Sequence, residues 1–291
     1  MEAEYSLHLI RKTECQEAKA KDKLKASEDP TLVTATFDLQ SVLQLPYSGV
    51  SLFYYSRKIC VYNLTIYLAS GEAHCYTWNE LNGKRGSNEI GSILLIFLQS
   101  LPVTVTSVSL FCDTCGGQDR NQQVAAMLLY AVKKIEHLNQ IELKFLESGH
   151  TQMECDPMHS AIESAKKHKS AFTMTDWINI FRSARSQRGK NKASVEKGSP
   201  DILFCRYDHS SEYKKVNIVG GGRRKSAAAL GLKPAYSDPL PISKAKKADL
   251  VKLVNAGHIP EELHLWYRNI PAIDVNGPER LSEPDESEDE N

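Results

Sequence analysis

Beyond residue 30 the chain alternates β-branched and aromatic runs with polar breaks. "TLVTATFDLQSVL", bounded by Pro30 and Pro46, predicts a buried strand near 31–39. "SLFYYSRKICVYNLTIYLAS" and "EAHCYTWNE", with Gly71 between them, predict further strands as antiparallel neighbours. "GSNEIGSILLIFLQSL" predicts a helix opened by Ser87, and "VTSVSLFCD" a strand ending at Asp113. "NQQVAAMLLYAVKKIEHL" predicts an amphipathic helix with Ala125, Leu128, Leu129 and Val132 inward and Lys133 and Lys134 near its negative end. "IELKFLE" is a short strand, and "DPMHSAIESAKKH" a helix with Asp156 as N-cap and Pro157 at its first position. Residues 31–170 therefore read β-β-β-α-β-α-β-α: an α/β fold with a mixed sheet flanked by helices.

The ends differ in character. Residues 1–28 predict a polar helix, with Leu7, Ile10 and Leu24 too sparse for an apolar stripe and Asp29-Pro30 as its stop. Residues 29–180 are expected to form the main domain. "FRSARSQRGKNKASVEKGSP" makes 181–200 a basic linker. A smaller basic α+β region is expected at 201–275. It contains a strand pair ("DILFCRYD", "YKKVNIVGG"), a lysine-rich helix ("SKAKKADLVKLVNAG") stopped by Gly257, and the amphipathic "IPEELHLWYRNI". Residues 276–291 are an acidic tail, too polar to fold alone.

Composition narrows the setting. The 291 residues carry a formal net charge of +0 and are 41% hydrophobic, as for a folded domain with no overall pull toward nucleic acid or membrane. The most apolar stretch, "IGSILLIFLQSLPV", is too short for a bilayer span, and the N-terminus lacks a signal-peptide core. An odd set of 7 irregularly spaced cysteines fits reduced thiols, hence an intracellular protein.

Candidate chemistry centres on carboxylates. Asp38 lies in or at the end of the first strand, where an acid is costly unless paired or metal-bound. Asp113 ends the fourth strand, Asp156 opens the helix after the fifth, and Glu163 lies two turns on as a substitute third acid. If the first and fourth strands are adjacent, Asp38 and Asp113 become neighbours. Clustered carboxylates repel, and Mg2+ or Mn2+ resolves the repulsion and supplies phosphodiester chemistry. A strand acid, a strand-end acid and a helix acid in this order match the ribonuclease-H-like arrangement. Each acid also has a plainer reading: a strand-end hydrogen bond for Asp38, a turn for Asp113 and a cap for Asp156. His150, after a strand end, could orient a carboxylate or contact phosphate, or be structural. His159 and Glu163, four residues apart, read as a helix-surface pair. A competing Zn2+ set would be Cys112, Cys115, Cys155 and His159. "CGGQDRN" lacks the ending of a phosphate-binding loop. Arg182, Arg185, Arg188, Arg223, Arg224 and Lys225 would suit DNA phosphates, or be solvated surface.

"FDLQ", "YNLTIY", "YTWNE", "KRGSNEIGS", "CDTCGGQDRN", "SGHTQMECDPMHSAIE" and "PISKAKKADLVKL" occur in this order. Together they resemble a widely dispersed, uncharacterised family of transposon-derived proteins with FDLQ, SDxCGGQNxN and GHTxxxxDxxH motifs. The resemblance spans nearly the whole chain. It implies a ribonuclease-H-like, transposase-type domain with Asp38, Asp113, His150 and Asp156 at its site, DNA as partner and a nuclear location, with an oligomer compatible. The chain departs from the motif at Cys112, where a small polar residue is usual, and at Asp119, where Asn is usual. Family members carry more sequence upstream, so the resemblance also implies a fragment or decayed copy.

Overall fold

The structure, a computed structural model, describes residues 2–113, 121–146, 153–184, 202–205, 214–217 and 232–274, with side chains omitted for 2–4, 202–205 and 214–217. Helix α1 (Glu2–Glu28) runs up to Asp29-Pro30. β1 (Leu32–Leu39) follows, then the short β2 (Leu43–Leu45). The run from residue 51 was expected to be a strand throughout. It splits instead into a helical turn, α2 (Ser51–Tyr54), and β3 (Ile59–Leu68). The polar Ser56-Arg57-Lys58 separates them: the Arg57 backbone N–H and guanidinium both bind Asp249 Oδ2 at 3.0 Å. A turn with Gly71 at φ 88° leads into β4 (Ala73–Asn79).

α3 (Ser87–Ser100), β5 (Ser107–Cys112), α4 (Gln122–Lys134) and β6 (Gln140–Phe145) then alternate. Asn121 caps α4 by accepting from the backbone N–H groups of Gln123 and Val124. α5 (Asp156–Lys166) has Cys155, not Asp156, at its N-cap position. Asp156 is already helical, and its Oδ2 reaches back to the Met153 N–H at 2.9 Å. α6 (Met174–Ser183) lies where no helix was expected; it opens with a capping box between Thr173 and Asp176.

β7 (Ile202–Cys205) and β8 (Lys214–Asn217) pair antiparallel. β9 (Ile242–Ser243), α7 (Lys244–Asn255), a 3-10 turn at Glu261–Leu263, α8 (His264–Asn269) and β10 (Ala272–Ile273) complete the chain.

β3 is the hub of a mixed sheet. It pairs antiparallel with β1 over Leu64–Leu68, with β2 over Ile59–Val61 and with β4 over Val61–Tyr67. A strand has two edges, so β4 occupies one while β1 and β2 share the other in succession. On its far side β1 pairs in parallel with β5, and β5 in parallel with β6. The connections between these parallel strands run through α3 and α4, as parallel pairing requires.

The two faces of the sheet are chemically unlike. Ala35, Phe37, Leu64, Ile66, Leu110 and Cys112 face α3 and α4 in an apolar core. Alternation puts Thr34, Thr36, Asp38 and Gln40 of the β1 segment, with Asn63 and Thr65 of β3, on the opposite face. Beside this polar strip a second core joins β2 and the start of β3 to α5, α6, α7 and α8 through Met158, Ile162, Trp177, Leu250, Leu253 and Tyr267. From Ile242 onward the C-terminal elements share this core with the sheet. Trp177 Nε1–H to the Gln44 carbonyl (3.2 Å) and Tyr267 O–H to the Phe172 carbonyl (2.7 Å) satisfy the two aromatics' polar atoms.

α1 is held by a stripe that hydropathy does not reveal. Among its described side chains, Cys15, Lys19 and Asp22 are buried. Asp22 Oδ2 meets Lys144 Nζ at 2.5 Å, and Lys19 and Lys23 meet Glu154 at 2.5 and 2.7 Å. The first contact ties α1 to β6, and the Glu154 pairs tie it to the segment that starts α5.

Candidate metal-binding site

The site lies at the carboxyl ends of β1 and β5, where helices deliver side chains to the sheet edge. The β1–β5 register sets Thr36 opposite Phe111, so its continuation sets Asp38 opposite Asp113 on the polar face. Across β3, Asp38 is registered with Thr65. α5 and its N-cap residue lie over this strip and present Cys155, His159 and Glu163 at four-residue spacing.

Each contacts the strip in turn. The buried Cys155 thiol lies 3.5 Å from the Thr36 carbonyl and 3.4 Å from the Thr65 carbonyl. His159 turns Nε2 to Thr65 Oγ1 at 3.0 Å and Nδ1 toward Asp38 Oδ2 at 3.8 Å. Glu163 Oε1 accepts from Gln40 Nε2 at 3.1 Å, and its other oxygen pairs with Lys166.

Asp38, Asp156 and His159 each offer a ligand atom, and these atoms lie within 4.8 Å of one another. Asp38 and His159 are partly buried and Asp156 is exposed, so the cluster opens to solvent on the Asp156 side. Burial, reinforced by Asp113 and then Asp156, pushes the Asp38 carboxyl up to about 7. Burial also raises Asp156, with the Met153 N–H acting the other way. Burial pushes the His159 imidazole down to about 4, leaving it neutral at physiological pH with a lone pair to donate. Two carboxylates whose charges repel and one neutral imidazole form a donor set that suits a divalent cation. The group fits Mg2+ or Mn2+ through its oxygens and accommodates softer ions through nitrogen.

Of the residues singled out in the sequence, Asp113 and Asp156 both act electrostatically on Asp38. Glu163 lies a helical turn beyond His159, with both oxygens engaged by Gln40 and Lys166. Arg182 is exposed in the last turn of α6. His150, Cys115, Arg185, Arg188, Arg223, Arg224 and Lys225 lie outside the described residues. Two thiols of the competing zinc set are separated by the sheet: Cys112 packs in the α3–α4 core, whereas Cys155 packs with Phe111 on the opposite face. Burial raises the Cys155 thiol further, favouring its protonated form.

In the sequence His159 reads as one of a surface pair or as a zinc ligand, and Thr65, Asn63 and Gln40 are not among the candidates. The signals were present. Thr34-x-Thr36-x-Asp38-x-Gln40 alternates with apolar residues, and Cys155, His159 and Glu163 recur at helical spacing.

No curated protein and no solved structure matches the chain. A family model does match: residues 61–204, which include Asp113, Asp156 and His159 and begin after Asp38, are similar to a domain of unknown function, DUF7869.

Proposed function

We propose that the chain is a transposon-derived, ribonuclease-H-like domain whose acid cluster binds a divalent metal for phosphodiester cleavage or strand transfer on DNA. The carrying observation is the convergence of ligand atoms from Asp38, Asp156 and His159 within 4.8 Å, with Asp113 at the neighbouring strand end. The order of elements supports the reading. An antiparallel meander of β1, β3 and β4 is followed by β5 and β6 parallel to β1, with one helix before each and α5 after them. That is the topology the resemblance to ribonuclease-H-like transposase domains implies.

Asp38, Asp156 and His159 would hold the cation, and Asp113 would add negative charge beside it. A bound divalent ion supplies Lewis acidity and lowers the pKa of coordinated water. The carboxylates orient a water or a DNA end hydroxyl and keep the cleft anionic without the cation. A phosphodiester is therefore repelled until the charge is neutralised. The exposed side at Asp156 is the open approach for a nucleic-acid backbone.

The test is calorimetric titration with Mn2+, comparing the intact chain with Asp38→Asn and Asp113→Asn, followed by cleavage of end-labelled DNA. Binding that disappears in Asp38→Asn, with metal-dependent nicking by the intact chain, is the expected result. Metal binding without nicking would leave a nucleic-acid or protein-binding module, and absence of binding would remove the metal reading.

A further inference from the structure

Resting on the metal reading above, we propose that Thr65 is a positioning residue that accepts the Nε2 proton of His159 and so leaves the Nδ1 lone pair for the metal. Glu163, Gln40 and Asn63 set the direction of its hydrogen bonds.

Glu163 receives Lys166 on one oxygen, so it is a carboxylate and can only accept. The Gln40 side-chain nitrogen, 3.1 Å from Glu163 Oε1, must then be the amide NH2, which turns the Gln40 carbonyl oxygen toward Asn63. That oxygen lies 3.0 Å from Asn63 Nδ2, so the Asn63 NH2 group points here. The same Nδ2 lies 3.1 Å from Thr65 Oγ1 and donates to it. A carboxylate on α5 thus orders the donors and acceptors down to a hydroxyl on β3.

Thr65 has one proton and two lone pairs. Asn63 fills one lone pair. Cys75 Sγ lies 3.8 Å from Oγ1 and can accept the hydroxyl's hydrogen bond through a sulfur lone pair. The second lone pair then faces His159 Nε2 at 3.0 Å. Thr65 also blocks Nε2 from any ion. The other ring nitrogen, Nδ1, is the atom turned toward Asp38, 3.8 Å away, and so toward the open cleft. A histidine that ligates through Nδ1 needs its proton on Nε2 and an acceptor there. In metal sites such partners fix ring orientation and tautomer. Asn63 and Thr65 are fully buried, so water does not replace the chain from outside.

The test reads the imidazole itself. Nitrogen-15 chemical shifts of His159 are measured in the metal-free chain at pH 7.5 and after Mg2+ addition, for the wild type, Thr65→Val and Thr65→Ser. Mn2+ affinity is measured in parallel. We expect a protonated Nε2 and an unprotonated Nδ1 in the wild type. Thr65→Val should lose that tautomer preference and bind Mn2+ roughly 10–100-fold more weakly. Thr65→Ser, which keeps the hydroxyl, should restore both. Protonation at Nδ1 in the wild type overturns the proposal, as does Thr65→Val with wild-type shifts and affinity. A wild type that binds no Mn2+, but shows the expected tautomer and its loss in Thr65→Val, overturns the metal reading and leaves Thr65's hold on the ring standing.

Discussion

Asp38 Oδ2 and His159 Nδ1 face each other at 3.8 Å between β1 and α5, too far for a direct hydrogen bond. The spacing leaves room for an ion between a carboxylate and an imidazole. Neither group is charge-compensated by the other at neutral pH, because burial holds the imidazole neutral. Replacing His159 with Phe should therefore weaken Mn2+ binding while far-UV circular dichroism stays unchanged. Undiminished affinity in His159→Phe would limit the ligand set to carboxylates.

The Asp38 carboxyl gives a pH dependence of known sign. Its value in the fold is raised from 3.8 to about 7, so between those limits the folded chain holds a proton that the unfolded chain has released. Its contribution is most favourable below the lower limit and fades as pH rises toward the upper one. Metal-free Asp38→Asn should match the wild type near pH 4 and become more stable by up to about 4 kcal/mol above pH 7. The His159 term is common to both proteins and largely cancels. Urea denaturation in chelator across this range checks it; a gap that widens on acidification would reverse the assignment.

α1 is tied to the site through Glu154. Burial pushes that carboxyl up, but Lys19 and Lys23 outweigh it and hold it below its usual range. Lys19 is 11% exposed and Lys23 43%, so the first pair should carry most of the energy. Lys19→Met should destabilise the chain by about 1–3 kcal/mol and speed amide exchange along α1, while Lys23→Met costs well under 1 kcal/mol. Equal effects from the two variants would count against burial as the deciding factor. Because Glu154 is depressed, the tether should also weaken as pH falls through the carboxylate range.

Cys112 offers a test of the thiol alternative. It belongs to the α3–α4 core, with the sheet between it and Cys155. Cys112→Ala should lower stability by about 1–2 kcal/mol, as a buried truncation, and leave metal affinity and stoichiometry unchanged. Loss of one bound Zn2+ in this variant would bring the thiols back into the ligand set.

How much of this was legible depended on whether the signal was local. Strand and helix order over 31–170 followed from runs such as "VTSVSLFCD" and "NQQVAAMLLYAVKKIEHL", whose own periodicity selects one state. α6 was missed because its start is marked by Thr173 and Asp176 rather than the usual Thr-x-x-Glu, and it runs into a basic stretch that reads as linker. The stripe of α1 was missed because it consists of Cys15, Lys19 and Asp22, which a hydrophobic pattern discards. The three acids could be nominated singly. That His159 joins Asp38 and Asp156 required knowing that α5 crosses the polar face of β1 and β3, which is a property of tertiary packing.

The shared edge of β3 bears on how the cleft comes into being. β1 lies between β3 and β5, and the acids arrive from positions 38, 113 and 156. No hairpin or single βαβ unit carries two of them, so loop closure over long stretches of chain precedes any partial version of the site. Cation affinity should accordingly appear late in refolding, after the meander and α3 have docked. A growing chain on the ribosome would stay blind to divalent ions until α5 has emerged.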